Sequence, residues 1–100
     1  MTRWFVSRHP GALEWLQRQG VEVDQCVAHL DVDVLRPGDT VLGTLPINLA
    51  CEVCRRGVEY WHLSLRVPFA LRGQELSAEQ LDECHATLES FVVWPGQADG

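Results

Sequence analysis

Thr40-Val41-Leu42-Gly43-Thr44-Leu45-Pro46-Ile47-Asn48-Leu49-Ala50-Cys51-Glu52-Val53-Cys54 changes its period in the middle. Thr40 to Gly43 is short and apolar, as a central strand of a parallel sheet is, buried on both faces. After Pro46, Ile47, Ala50, Cys51 and Cys54 fall at i, i+3, i+4 and i+7, one face of a helix. Leu49 and Val53 add a second apolar pair, so this helix is either sandwiched or touches a partner. Arg55-Arg56-Gly57 closes it, with cations at the negative end of the helix dipole and a glycine beyond.

The same strand-to-helix change recurs on either side. Upstream, Arg3 to Val6 reads as a first strand. Ser7-Arg8-His9-Pro10-Gly11 breaks it, and Pro10 opens a helix with Ala12, Leu13, Trp15 and Leu16 on its apolar face. Gly20 stops that helix. Cys26 to Leu30 is the expected second strand, and Asp31 to Asp39 a loop turning at Arg36-Pro37-Gly38-Asp39. Downstream, Glu59 to Ser64 is a fourth strand, and Ser77-Ala78-Glu79-Gln80 is a capping box. Leu81, Cys84, Leu88 and Phe91 continue from it at helical spacing, which predicts a third helix reaching Phe91. Val92-Val93-Trp94 adds a candidate edge strand.

Alternating strands and helices predict a single α/β domain, residues 1–94. It has a mostly parallel four- to five-stranded sheet covered on both faces and a tail over 95–100. Ligands of such sheets bind beyond the carboxyl ends of the strands, where the strand order reverses. That rule selects the loops after the first and third strands. The first holds Ser7, Arg8, His9 and Gly11. The second holds Gly43, Thr44, Leu45, Pro46 and Asn48. His29 and Ser64, at the ends of the second and fourth strands, join them.

All eight basic residues are arginines before Gly73, against 14 acidic residues, for a net charge of −6. Without lysine there is no Schiff base, P-loop lysine or Ser–Lys pair. A bound anion must be held by arginine, histidine, hydroxyls or backbone N–H groups. A net acidic chain is poorly suited to tracking DNA or long RNA. No apolar run approaches the roughly 18 residues of a membrane span, and no secretory apolar region opens the chain.

Arg8 and His9 before a helix start suit a phosphate: arginine clamps it and histidine donates or relays a proton. The plain alternative is a solvated loop, and for Thr44 and Asn48 a helix cap. A rival is the histidine phosphatase superfamily, whose first strand ends in Arg-His-Gly; here Pro10 follows His9. Cys51-Glu52-Val53-Cys54 spells C-x-x-C but lies within the helix, where core packing explains it better than redox chemistry. Without an export signal, its thiols are expected reduced in a cytosol. Asp31 and Asp33 lack a third carboxylate, so no metal site and no cofactor are expected.

Arg3-Trp4-Phe5-Val6-Ser7-Arg8-His9-Pro10-Gly11-Ala12, Val27-Ala28-His29-Leu30, Pro37-Gly38-Asp39-Thr40-Val41, Gly43-Thr44-Leu45-Pro46 and His62-Leu63-Ser64-Leu65 together resemble a family of small CRISPR-associated proteins found beside type III systems. The resemblance runs from about Thr2 to Phe91. It implies a Rossmann-like three-layer domain in a cytoplasmic homodimer. It also implies a ring nuclease acting on cyclic oligoadenylate messengers, cyclic tetra-adenylate above all, without a metal. On that reading Arg8 and His9 are the catalytic candidates. Ser7, Gly11, His29, Gly43, Thr44, Leu45, Pro46, Asn48 and Ser64 are the substrate-binding ones. A messenger-binding module without turnover, and an interaction protein without nucleotide affinity, are the alternatives.

Overall fold

The computed structural model describes residues 1–96; the expected tail, 95–100, lies mostly outside the described residues. Its elements run β1 (Arg3–Val6), α1 (Pro10–Arg18), β2 (Gln25–Val27), β3 (Thr40–Gly43), α2 (Ile47–Arg55), β4 (Glu59–Ser64), α3 (Ala78–Glu83) and β5 (Thr87–Phe91). The strand order is β2-β1-β3-β4-β5. The first four strands are parallel; β5 pairs antiparallel with β4. This is a Rossmann-like α/β domain.

Alternation along the central strands divides the core. Phe5, Leu42 and Leu63 face Ala12, Trp15 and Leu16 of α1 and Ala78 and Leu81 of α3. Val41 and Tyr60 face Ala50 and Val53 of α2. Helices therefore cover both faces, because side chains of a strand point to opposite sides in turn. The Trp15 indole Nε1 donates to the Asp82 carboxylate at 2.8 Å, tying α1 to α3. At the far end of the sheet Asp39 accepts from the Thr2 and Arg36 amides and the Trp4 indole.

Three expectations change. The third helix ends at Glu83, not Phe91. His85 adopts a left-handed φ of 58°, and the His85 and Ala86 amides bond back to the Asp82 and Leu81 carbonyls. These bonds satisfy orphan carbonyls at the helix end and turn the chain, so Leu88 and Phe91 belong to β5. Val92 to Trp94 follow β5 without strand structure. The second strand runs Gln25–Val27 rather than Cys26–Leu30.

The faces of α2 also differ from the expectation. Val53 is wholly buried and Ala50 nearly so, whereas Ile47 is 77% exposed. Leu49 is half-buried against the same core. The pair Leu49 and Val53 is thus an inward-facing pair, not an outer stripe.

Candidate functional site

The strand order reverses between β1 and β3, because the chain lays β2 on one side of β1 and then crosses to the other. A cleft of about 520 Å³ opens there, beyond the carboxyl ends of the parallel strands. Of the eleven candidate site residues, eight line it: Ser7, Arg8, His9, His29, Gly43, Thr44, Leu45 and Pro46. Phe5, Ala12, Leu63 and Leu81 form its apolar floor.

Three candidates lie elsewhere. A Cβ at Gly11 would stand 2.2 Å from the Leu76 carbonyl oxygen, so this glycine serves the packing of α1 against the segment leading into α3. Asn48 is exposed in the first turn of α2, outside the cleft lining. Ser64 pairs with Thr87 across β4 and β5 and lines a separate shallow recess with Arg66 and His85.

The first loop is shaped by its own side chains. The Ser7 hydroxyl accepts from the His9 amide at 3.0 Å, a local turn that leads into Pro10. The ring of His9 stands 3.5 Å from the Glu75 carboxylate at the rim. Arg8 is exposed and, among the described residues, makes no ion pair. Among the described residues no carboxylate lines the cleft itself, although the chain carries 14 acidic residues against eight basic ones. Neither α1 nor α2 has a side-chain cap at its start; His9 and Pro46 occupy the cap positions. Both helices present their positive ends to this end of the sheet.

The second loop is held from behind. A Cβ at Gly43 would meet the Val6 carbonyl oxygen at 2.8 Å, so only glycine lets the ends of β1 and β3 come this close. The Tyr60 hydroxyl accepts from the Leu45 amide at 3.0 Å, lies 3.3 Å from the Gly43 carbonyl oxygen and 2.6 Å from Nδ1 of His62. Burial pushes the Tyr60 hydroxyl's pKa up, opposed by the Leu45 N–H bond, so at neutral pH it keeps its proton. Sequence reading passed over Tyr60. Its only signal was a tyrosine two residues from a histidine on one strand face.

The other chemistry-bearing motifs have structural partners. The Cys54 thiol lies 3.8 Å from the Phe91 carbonyl oxygen and accepts from the Val93 amide at 3.4 Å, so it fastens α2 to the end of β5. Asp31 accepts from the Asp33 amide, and Asp33 pairs with Arg56. Among the described residues no group of three His, Cys, Asp or Glu side chains could hold a metal ion. No helix among them is long and apolar enough to cross a membrane.

A family model described as "Putative CRISPR-associated protein (Cas_VVA1548)" matches residues 4–94. No curated protein and no solved structure matches the chain.

Proposed function

We propose, from the premise that the chain belongs to this family of CRISPR-associated proteins, that its cleft binds cyclic tetra-adenylate and opens the ring, ending a type III antiviral signal. One observation carries the reading. In a chain of net charge −6, the cleft at the strand-order reversal is lined by Arg8, His9 and His29 and, among the described residues, by no carboxylate, with Glu75 at its rim against His9. A local positive pocket in an acidic protein suits a small cyclic phosphodiester better than a long polyanion.

The reaction needs no protein nucleophile. The ribose 2′-oxygen attacks its neighbouring phosphorus, the P–O5′ bond breaks, and a 2′,3′-cyclic phosphate and a 5′-hydroxyl result. The 2′-hydroxyl proton leaves to a base and the 5′-oxygen gains one. Arg8 clamps the phosphate and stabilises charge growing on its oxygens. His9 exchanges protons at the 2′-hydroxyl or the 5′-oxygen, with Glu75 orienting its ring. His29 stands on the same cleft as a further imidazole. Ser7, Thr44 and the open helix starts hold ribose and phosphate. A homodimer about a two-fold axis would present two such clefts to a ring of matching symmetry.

Incubation with cyclic tetra-adenylate in excess EDTA, with products resolved by chromatography, tests the reading. The expected result is linear product ending in 2′,3′-cyclic phosphate. Tight binding with an intact ring would instead make the protein a messenger sponge. Absence of any thermal shift with cyclic oligoadenylates would remove the nucleotide reading altogether.

A further inference from the structure

The chain between β4 and α3 builds a second hollow beside the cleft. Four half-buried aliphatic side chains, Leu65, Val67, Leu71 and Leu76, form its walls, and Arg72 and Gln74 are its polar side chains. Its volume is about 400 Å³, and among the described residues no carboxylate lines it. Leu65, Gln74 and Leu76 also line the main cleft, so the two hollows share a wall. The residue after Gln74, Glu75, is the one that meets His9 at the rim. Apolar walls with a few fixed polar groups are the make-up of a small-molecule subsite.

The segment is closed on itself. The Leu71, Arg72 and Gln74 amides bond back to the Pro68, Phe69 and Leu71 carbonyls at 2.9, 3.3 and 3.3 Å. The Gln74 side chain reaches back as well: its Nε2 donates to the Ala70 carbonyl at 3.3 Å. That bond decides which end of the amide is which, because only the nitrogen carries hydrogens to give a carbonyl. One N–H and Oε1 are left over, a donor and an acceptor side by side. Arg72 is exposed and, among the described residues, makes no ion pair.

A donor beside an acceptor is the complement of adenine's N7 and N6 amino group. Guanine presents N7 and O6 there, two acceptors, and would set O6 against Oε1. A guanidinium plane stacks on a base, and aliphatic walls suit the apolar rim of a purine. We propose that this recess is the base subsite of the cleft. It takes an adenine whose phosphate lies at Arg8, with Gln74 reading the N6–N7 edge and Arg72 stacked on the ring. Arg8 and His9 face phosphate and ribose, which all nucleotides share, so base selectivity must come from elsewhere. Placing the adenine within a cyclic oligoadenylate rests on the messenger reading; the preference for adenine follows from the recess itself. An arginine used edge-on favours guanine instead, so guanine is the competitor in the test.

Adenosine and guanosine 5′-monophosphate are the first probes. Each is titrated into the 15N-labelled full chain, and the side-chain NH2 signals of Gln74 are followed beside the Leu76 amide. The adenine nucleotide should move the Gln74 signals and bind about 5- to 100-fold tighter than the guanine one, the scale of one bidentate base contact. Gln74→Met keeps the stem and removes the amide, so it should erase the preference. Gln74 and Arg72 are both exposed, so their replacement leaves the core untouched. Gln74 signals that stay still, a preference for guanine, a preference that survives Gln74→Met, or no binding of the adenine nucleotide would each overturn the base subsite.

The second arm measures cyclic tetra-adenylate affinity by calorimetry. Gln74→Met should weaken it by about 5- to 100-fold. Arg72→Ala should weaken it by about 2- to 30-fold, the scale of a cation–π contact. Native affinity in both variants overturns the recess as part of the messenger site. A native protein that binds the adenine nucleotide at Gln74 but not cyclic tetra-adenylate would refute the messenger reading and leave the adenine site standing.

Discussion

Gly11 lies against the Leu76 carbonyl so closely that a Cβ would stand 2.2 Å from the oxygen, with the Ser77 backbone next at 3.0 Å. Neither neighbour is a flexible side-chain tip. Backbone meets backbone where α1 enters the layer it shares with α3. Gly11→Ala should therefore cost about 1–3 kcal/mol through forced displacement, read as a lower midpoint in urea denaturation. An unchanged midpoint would mean that the two segments yield freely.

Arg8 and His9 are adjacent on the cleft but differ in expected role. Arg8→Ala should weaken cyclic tetra-adenylate binding by roughly 10- to 100-fold, as loss of a charge-assisted contact does, and slow cleavage as well. His9→Gln should lower single-turnover rate by about 10²- to 10⁴-fold with a smaller change in affinity. Calorimetry and rapid-quench kinetics separate the two; equal native rates in both variants would move the site elsewhere.

Asp39 sets an acid limit on stability. Its carboxylate accepts from the Thr2 amide first, then from the Arg36 amide and the Trp4 indole, and these bonds hold its pKa below the ordinary 3.8. A carboxyl depressed in the folded state contributes stability that is present above its unfolded pKa. That stability disappears as pH falls through the folded pKa, because the unfolded chain then binds the extra proton. Thermal melts should show a plateau above about pH 5 and a decline below about pH 4. Asp39→Asn should be less stable on the plateau and show a shallower decline. An identical pH profile in that variant would assign the acid limit to other carboxylates.

Two positions on α2 separate folding from association. Leu49 is half-buried on the core, so Leu49→Asp should cost about 1–3 kcal/mol in stability. Ile47 is 77% exposed, so Ile47→Asp should leave the melting temperature almost unchanged. If the outer face of α2 joins two copies, sedimentation equilibrium will find native dimer and Ile47→Asp monomer. A dimer that survives Ile47→Asp would place the contact on another surface.

Much of the fold was legible because local signals agreed with one another. β1 into α1 and β3 into α2 each carry a change of period and a proline at the helix start. The capping box of α3 is formed as its sequence implied, Ser77 and Gln80 bonding each other's backbone. β5 was not legible. Leu81, Cys84, Leu88 and Phe91 fit helical spacing, and nothing local announced that His85 would take a left-handed conformation that normally favours glycine. Short apolar runs carry both readings, and pairing with β4 decides between them.

The candidate site divides in the same way. Position in the topology put eight of the eleven candidates on one cleft, because helix-flanked parallel strands send their carboxyl-end loops to one edge. Gly11, Asn48 and Ser64 share those loops or strand ends but turn away from the cleft, and loop membership does not specify direction.

The sequence by itself determined the alternation of strands and helices, the lack of lysine chemistry, and the Arg8-His9 pair at a helix start. These follow from periodicity, composition and adjacency along one chain. Only the tertiary structure decided that β5 runs antiparallel, that Val53 faces inward while Ile47 does not, and that Tyr60 holds the loop around Thr44. Each of these depends on groups that are far apart in sequence or on opposite sides of a sheet, and register and close packing alone bring such groups within bonding distance.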